Sequence, residues 1–171
     1  MPQRRIAPSK STELGNRCGA WENPACSISN IEGGDMINVL QPTGEQVKAF
    51  RDRQTGEPIA MLNLLKFRDK AVYEDGRPSD LSGYEAYQLY GKAFRELNEP
   101  KGVRVLYSGQ VKGLLIGQGD DLWDAVALIQ YPSTQVMLDM LRDEDYQKAQ
   151  QHRAAALEGQ LLIECGAGFS F

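Results

Sequence analysis

Histidine and cysteine are scarce in this chain, and no excess of basic charge compensates. Its 171 residues hold a single histidine, His152, and three cysteines, Cys18, Cys26 and Cys165. The cysteines are widely spaced, with no CxxC pair and no histidines nearby. That pattern excludes a disulfide framework and a zinc site, and predicts reduced thiols in a cytoplasmic protein. The chain has 19 Lys and Arg against 23 Asp and Glu, a net charge of −4, and a pI near 5.1. No Lys/Arg cluster falls on a predicted helix, so no partnership with nucleic acid is expected. Apolar runs reach only about five residues, which excludes a membrane-spanning helix and predicts no membrane association. Arg4-Arg5 lacks the apolar stretch that a twin-arginine signal needs after it. A phosphate-cradling glycine loop, GxSxG and HExxH are also missing. No metal and no cofactor are expected.

What is present suits one domain with an extension: 42% apolar and 25% charged residues, near the globular average. Residues 1–35 hold Pro2, Pro8, Pro24, Gly15, Gly19, Gly33 and Gly34 among many Ser and Asn, without hydrophobic period. This reads as an irregular or disordered arm. Glu32-Gly33-Gly34 is encoded by purine-rich codons that resemble a ribosome-binding sequence ahead of Met36. The expectation is an upstream, non-native extension over 1–35 and one domain over 36–171.

From Thr43 onward the pattern is regular. Thr43-Gly44-Glu45-Gln46 and Ser82-Gly83-Tyr84-Glu85 have capping-box spacing and open helices to about Arg53 and about Leu97. Between them, 59–67 (IAMLNLLKF) is apolar almost throughout, as in a strand covered on both faces. Tyr84, Tyr87, Gly91, Phe94 and Leu97 recur at helical spacing. Strands are predicted over 103–117, with Gly109 and Gly113 marking bulges or a bend, and over 122–131. Ser133 caps a helix to Leu141, a second helical stretch runs from Tyr146 to about Leu157, and 160–165 forms a last strand.

A helix followed by β-α-β-β-α-β is the ferredoxin-like arrangement of an α+β domain, an antiparallel sheet with helices on one face. Helices cover only one face, yet the strand over 59–67 is apolar on both. The same face of a second copy is the simplest cover, which predicts a homodimer, a dimeric α/β barrel.

The segments MLNLLKFR (61–68), SGYEAY (82–87), WDAVALIQYPS (123–133) and DEDYQKAQQHRAAALEGQLLIE (143–164) together resemble the domain-of-unknown-function 1330 family. The resemblance runs from about Pro42 to Cys165. It implies membership of the dimeric α/β-barrel superfamily and no particular chemistry. Superfamily relatives include cofactor-free monooxygenases, muconolactone isomerase-like proteins, stress-responsive barrels and haem-degrading oxygenases, with ligands between sheet and helices or inside the barrel.

Seven residues are candidates for a site. Asn63 is the uncharged polar residue of the apolar strand; it either orients a ligand in a cavity or bonds to a neighbouring backbone. His152 is the first acid–base candidate by its titration range, and otherwise a helix-edge imidazole. Arg153 either clamps a carboxylate or pairs with Glu85 or Glu158. Tyr84 and Tyr87, with Tyr90, give one helix an aromatic face with hydroxyl tips. Trp123 and Asp124 open a strand; Asp124 is either a base facing the barrel or a solvated acid. Haem-degrading relatives use an Asn, a Trp and a His on elements comparable to those of Asn63, Trp123 and His152. His152 lies too far along the second helix for that pattern, so haem is not expected. The expected function is binding of a small, partly apolar molecule. Cofactor-independent oxygenation or isomerisation would use His152 as base and Asn63 as donor to an oxyanion. The alternatives are a non-catalytic binding or stress-related protein, or an interaction module with a packed barrel.

Overall fold

The computed structural model describes residues 39–117 and 123–166. The arm expected over 1–35, the start at Met36, Cys18 and Cys26 lie outside the described residues. The elements follow the expected order: α1 (Gly44–Asp52), β1 (Ile59–Phe67), α2 (Gly83–Asn98), a 3-10 turn (Glu99–Lys101), β2 (Arg104–Gln110), β3 (Ala125–Tyr131), α3 (Thr134–Arg142), α4 (Glu144–Ala156) and β4 (Leu157–Cys165). Both capping boxes form. The Thr43 hydroxyl accepts from the Gln46 amide, and the Gln46 side chain accepts from the Thr43 amide. Ser82 and Glu85 reciprocate in the same way at the start of α2. Asp143 ends α3 and caps α4, its carboxylate accepting the amides of Asp145 and Tyr146. No helix among the described residues is long and apolar enough to cross a membrane.

The four strands form one antiparallel sheet in the order β2-β3-β1-β4. Side chains alternate across a strand, so the odd-numbered residues of β1 share a face. On that face Ile59 and Met61 pack with Tyr90 and Phe94 of α2, Met137 and Met140 of α3, and Tyr146 and Ala149 of α4. Leu65 joins a second cluster with Ala71, Tyr73, Ala86, Ala155, Ala156 and Leu157. The helices therefore lie on one face, and the domain is ferredoxin-like α+β.

Several local expectations shift. The first register slip of the β2–β3 pair falls between Val105 and Tyr107, while Gly109 pairs regularly with Val126. β2 stops at Gln110, short of Gly113. The buried stripe of α2 is Gly83, Ala86, Tyr90, Phe94 and Asn98, and Tyr84 is exposed. Gly83 turns the helix, because it lies directly against the backbone of Arg68 and Ala156.

The opposite face carries two apolar rows. Tyr107, Leu128, Leu62 and Ile163 stand side by side across all four strands, and Val126, Leu64 and Leu161 form the next row. None of these seven joins either core cluster. Tyr107 is 59% exposed and Ile163 42%. This is the second apolar face of β1, and neither core cluster of the described residues covers it.

Candidate functional site

Asn63 lies on the helix-facing side of β1, 7% exposed, between Met61 and Leu65. Its amide nitrogen donates to the Met61 carbonyl at 3.1 Å and to the Ala127 carbonyl across the sheet at 3.4 Å. Its oxygen accepts from Gln160 at 2.8 Å. Gln160 stands opposite Leu65 on β4 and is 6% exposed. The Gln160 oxygen accepts from Nε of Arg153 at 2.9 Å and from Nη2 of the same guanidinium. Nη2 also donates to the Leu40 carbonyl at 3.0 Å. A continuous polar relay thus crosses an otherwise apolar interior, from Leu40 through Arg153, Gln160 and Asn63 to the sheet backbone. Buried amides persist only when partnered in this way.

The relay settles the geometry of two expected candidates. Asn63 commits both N–H bonds to backbone carbonyls, which leaves none for an oxyanion. Arg153 pairs with neither Glu85 nor Glu158. Glu85 is taken by the cap of α2, and among the described residues no carboxylate meets the Arg153 guanidinium.

A tyrosine cluster borders the relay. The hydroxyls of Tyr90 and Tyr146 are 3.2 Å apart. The Tyr87 ring lies 5.3 Å from Tyr90 and 5.4 Å from Phe67. Burial pushes the Tyr87 hydroxyl up to about 12, against a downward pull from the Arg153 charge. Burial likewise raises Tyr131, again opposed by Arg153, and holds Tyr90 well above its ordinary value. These phenols stay protonated at neutral pH.

His152 belongs elsewhere. Its Nδ1 lies 2.7 Å from the Tyr73 hydroxyl, and Arg77 stacks over the Tyr73 ring at 3.9 Å. No contact among the described residues joins this group to Asn63. Burial, with the Arg77 charge nearby, lowers His152 below its ordinary 6.5. Protonation therefore favours the unfolded chain in the window below about pH 6.5, down to the depressed folded value. We expect the urea midpoint to fall as pH drops through that window, and His152→Gln to flatten this part of the profile. Identical profiles for the two proteins would refute the assignment.

Asp124 is structural in its contacts. Its carboxylate accepts the Phe67 amide at 2.7 Å and lies 3.5 Å from the Lys66 ammonium. Its own amide donates to Leu65, so the residue clamps the ends of β1 and β3 together. Trp123 is half-buried just before β3. Among the described residues no hydrogen bond or ring contact links Asn63, Trp123 and His152 to one another. Tyr84 stacks edge-on to Phe67 at 5.7 Å on the exposed side of α2. Sequence reasoning missed Gln160 and Tyr131. Gln160 stands one strand position before Leu161, and only the β1–β4 register shows that it faces the helices beside Asn63.

Two surface hollows, of about 600 and 370 Å3, lie along β2 and beside α3. Neither is lined by Asn63, Tyr87, His152 or Arg153.

A family model described as a domain of unknown function, DUF1330, matches residues 79–166. The crystal structure of the RPA0582 protein of unknown function from Rhodopseudomonas palustris is 37% identical, covering 75% of this chain and 96% of its own, with a TM-score of 0.68. The methylated RPA0582 protein is 39% identical over 76% and 95%, with a TM-score of 0.69. A dimeric ferredoxin-like protein of unknown function from Bacteroides fragilis is 12% identical over 66% and 97%, with a TM-score of 0.44. No curated protein matches. A family match over more than half of the chain, together with a 39% identical relative spanning three quarters of it, establishes that this chain belongs to the DUF1330 family.

Proposed function

We propose that this protein is a homodimeric α/β barrel whose subunits each bind a small, partly apolar molecule between the sheet and α2 and α4, beside Tyr87 and Arg153. The observation that carries the reading is the buried polar relay. A domain built only to pack would place hydrophobic side chains at Asn63, Gln160 and Arg153, since burying polar groups is at best neutral for stability. Here three polar residues from three elements converge among aromatic rings, the composition expected of a ligand wall. The open apolar face supports the dimer: two such faces in contact would cover Leu62, Leu128 and Ile163.

We read the site as binding rather than catalytic. An acid–base scheme with His152 as base and Asn63 as oxyanion donor draws no support from the geometry, because the two lie in separate contact groups and the N–H bonds of Asn63 are committed. Native mass spectrometry of protein purified gently from its own host tests the proposal. The expected result is a dimer mass with a small-molecule increment, lost in Tyr87→Ala. A monomer would overturn the barrel. A ligand-free dimer that binds no small aromatic molecule would overturn the site.

A further inference from the structure

We infer that the ligand beside Arg153 is a monocarboxylate with an apolar, aromatic-sized body, an inference that rests on the binding site proposed above. Arg153 is a half-buried cation, and its partners, the Gln160 and Leu40 oxygens, are both neutral. Among the described residues no carboxylate meets it. A partly desolvated charge without a counter-ion is unfavourable, and an arriving anion would relieve that.

The guanidinium is held ready for such a ligand. Asn63 fixes the orientation of the Gln160 amide, and Gln160 in turn holds Nε and Nη2 of Arg153. No bond among the described residues uses Nη1. A donor fixed in advance loses little freedom on binding, which favours affinity. Tyr87 and Tyr131 add neutral hydroxyls within the field of the same guanidinium. The half-buried rings of Phe67 and Tyr87 meet edge-on and supply aromatic surface for the body of the ligand.

The charge count selects the class. One guanidinium balances one negative charge, and no second described cation joins the relay. A phosphate monoester would bring up to a second charge that nothing there would compensate. A planar carboxylate also matches the planar guanidinium.

The test uses benzoate and its neutral counterpart benzyl alcohol, each titrated into the 15N-labelled full chain near neutral pH and followed by NMR. Benzoate is expected to shift the Arg153 Nε–H signal and to bind at least about tenfold more tightly than the alcohol, about 1.4 kcal/mol. Arg153→Gln is expected to abolish the preference, and Arg153→Lys to restore part of it while amide spectra show both variants folded. Equal binding of the two probes at this site would overturn the carboxylate inference and leave the binding site standing. Benzoate binding with the Arg153 signal unmoved, or a preference that survives Arg153→Gln, would also overturn it. Absence of any shift near Tyr87 and Arg153 with either probe would overturn the inference and the binding site together.

Discussion

Gly83→Ala is expected to destabilise the domain by at least about 3 kcal/mol, a large part of the stability of a fold this size. A Cβ at Gly83 would lie 2.3 Å from the Arg68 carbonyl oxygen, 2.5 Å from the Ala156 carbonyl oxygen and 2.8 Å from the Arg68 nitrogen. All three are backbone atoms. Nor can they move independently: the Gly83 amide donates to the Arg68 carbonyl at 3.1 Å, and the Arg68 amide donates to the Ala156 carbonyl at 2.9 Å. The start of α2, the end of β1 and the end of α4 are hydrogen-bonded into one joint that excludes a methyl group. Gly91, eight positions along the same helix, provides the control, because a Cβ there meets nothing within 4 Å. Gly91→Ala should stabilise the domain by up to about 1 kcal/mol through helix propensity alone. Urea denaturation of the two variants checks the pair. Equal midpoints would mean that the joint is not close-packed.

Leu128→Asp is expected to split the proposed dimer and leave a folded monomer. Leu128 stands between Leu62 and Tyr107 in the longer apolar row. In the isolated subunit an aspartate there would reach water, so the fold tolerates it. In a face-to-face dimer the symmetry would bury two such carboxylates without partners. Each costs about 3 kcal/mol or more, so the two together should raise the dissociation constant by about ten-thousandfold or more. Light scattering with size-exclusion chromatography reads the outcome, with Gln88→Asp on the exposed side of α2 as the control. A Leu128→Asp protein that stays dimeric with native circular dichroism would place the interface on another surface. A wild-type protein that is monomeric at high concentration would remove the dimer altogether.

Much of the fold was legible because its causes are local. The two capping boxes lie within four residues each, and both helices begin where the spacing predicted. β1 spans Ile59–Phe67, as its apolar run indicated, and Pro132 and Ser133 mark the change from β3 to α3. The two-sided apolarity of β1 also anticipated a second apolar face of the sheet. The stripe of α2 was displaced because the contact that sets its rotation is made at Gly83. A glycine with no positive φ gives no sign in the sequence that space, rather than backbone freedom, is what it supplies.

The site was less legible. Asn63 and Arg153 stood out as polar residues on apolar elements, but their partners did not. Asn63 and Gln160 are 97 positions apart, and Arg153 and Leu40 are 113 apart. By itself the sequence determined the order of the elements, their caps and the alternation of β1, because these depend on hydrogen bonds and side-chain period within a few residues. Only the tertiary structure decided which polar groups meet, since a shift of one residue in strand register would turn Gln160 to the opposite face and leave Asn63 and Arg153 without the link between them.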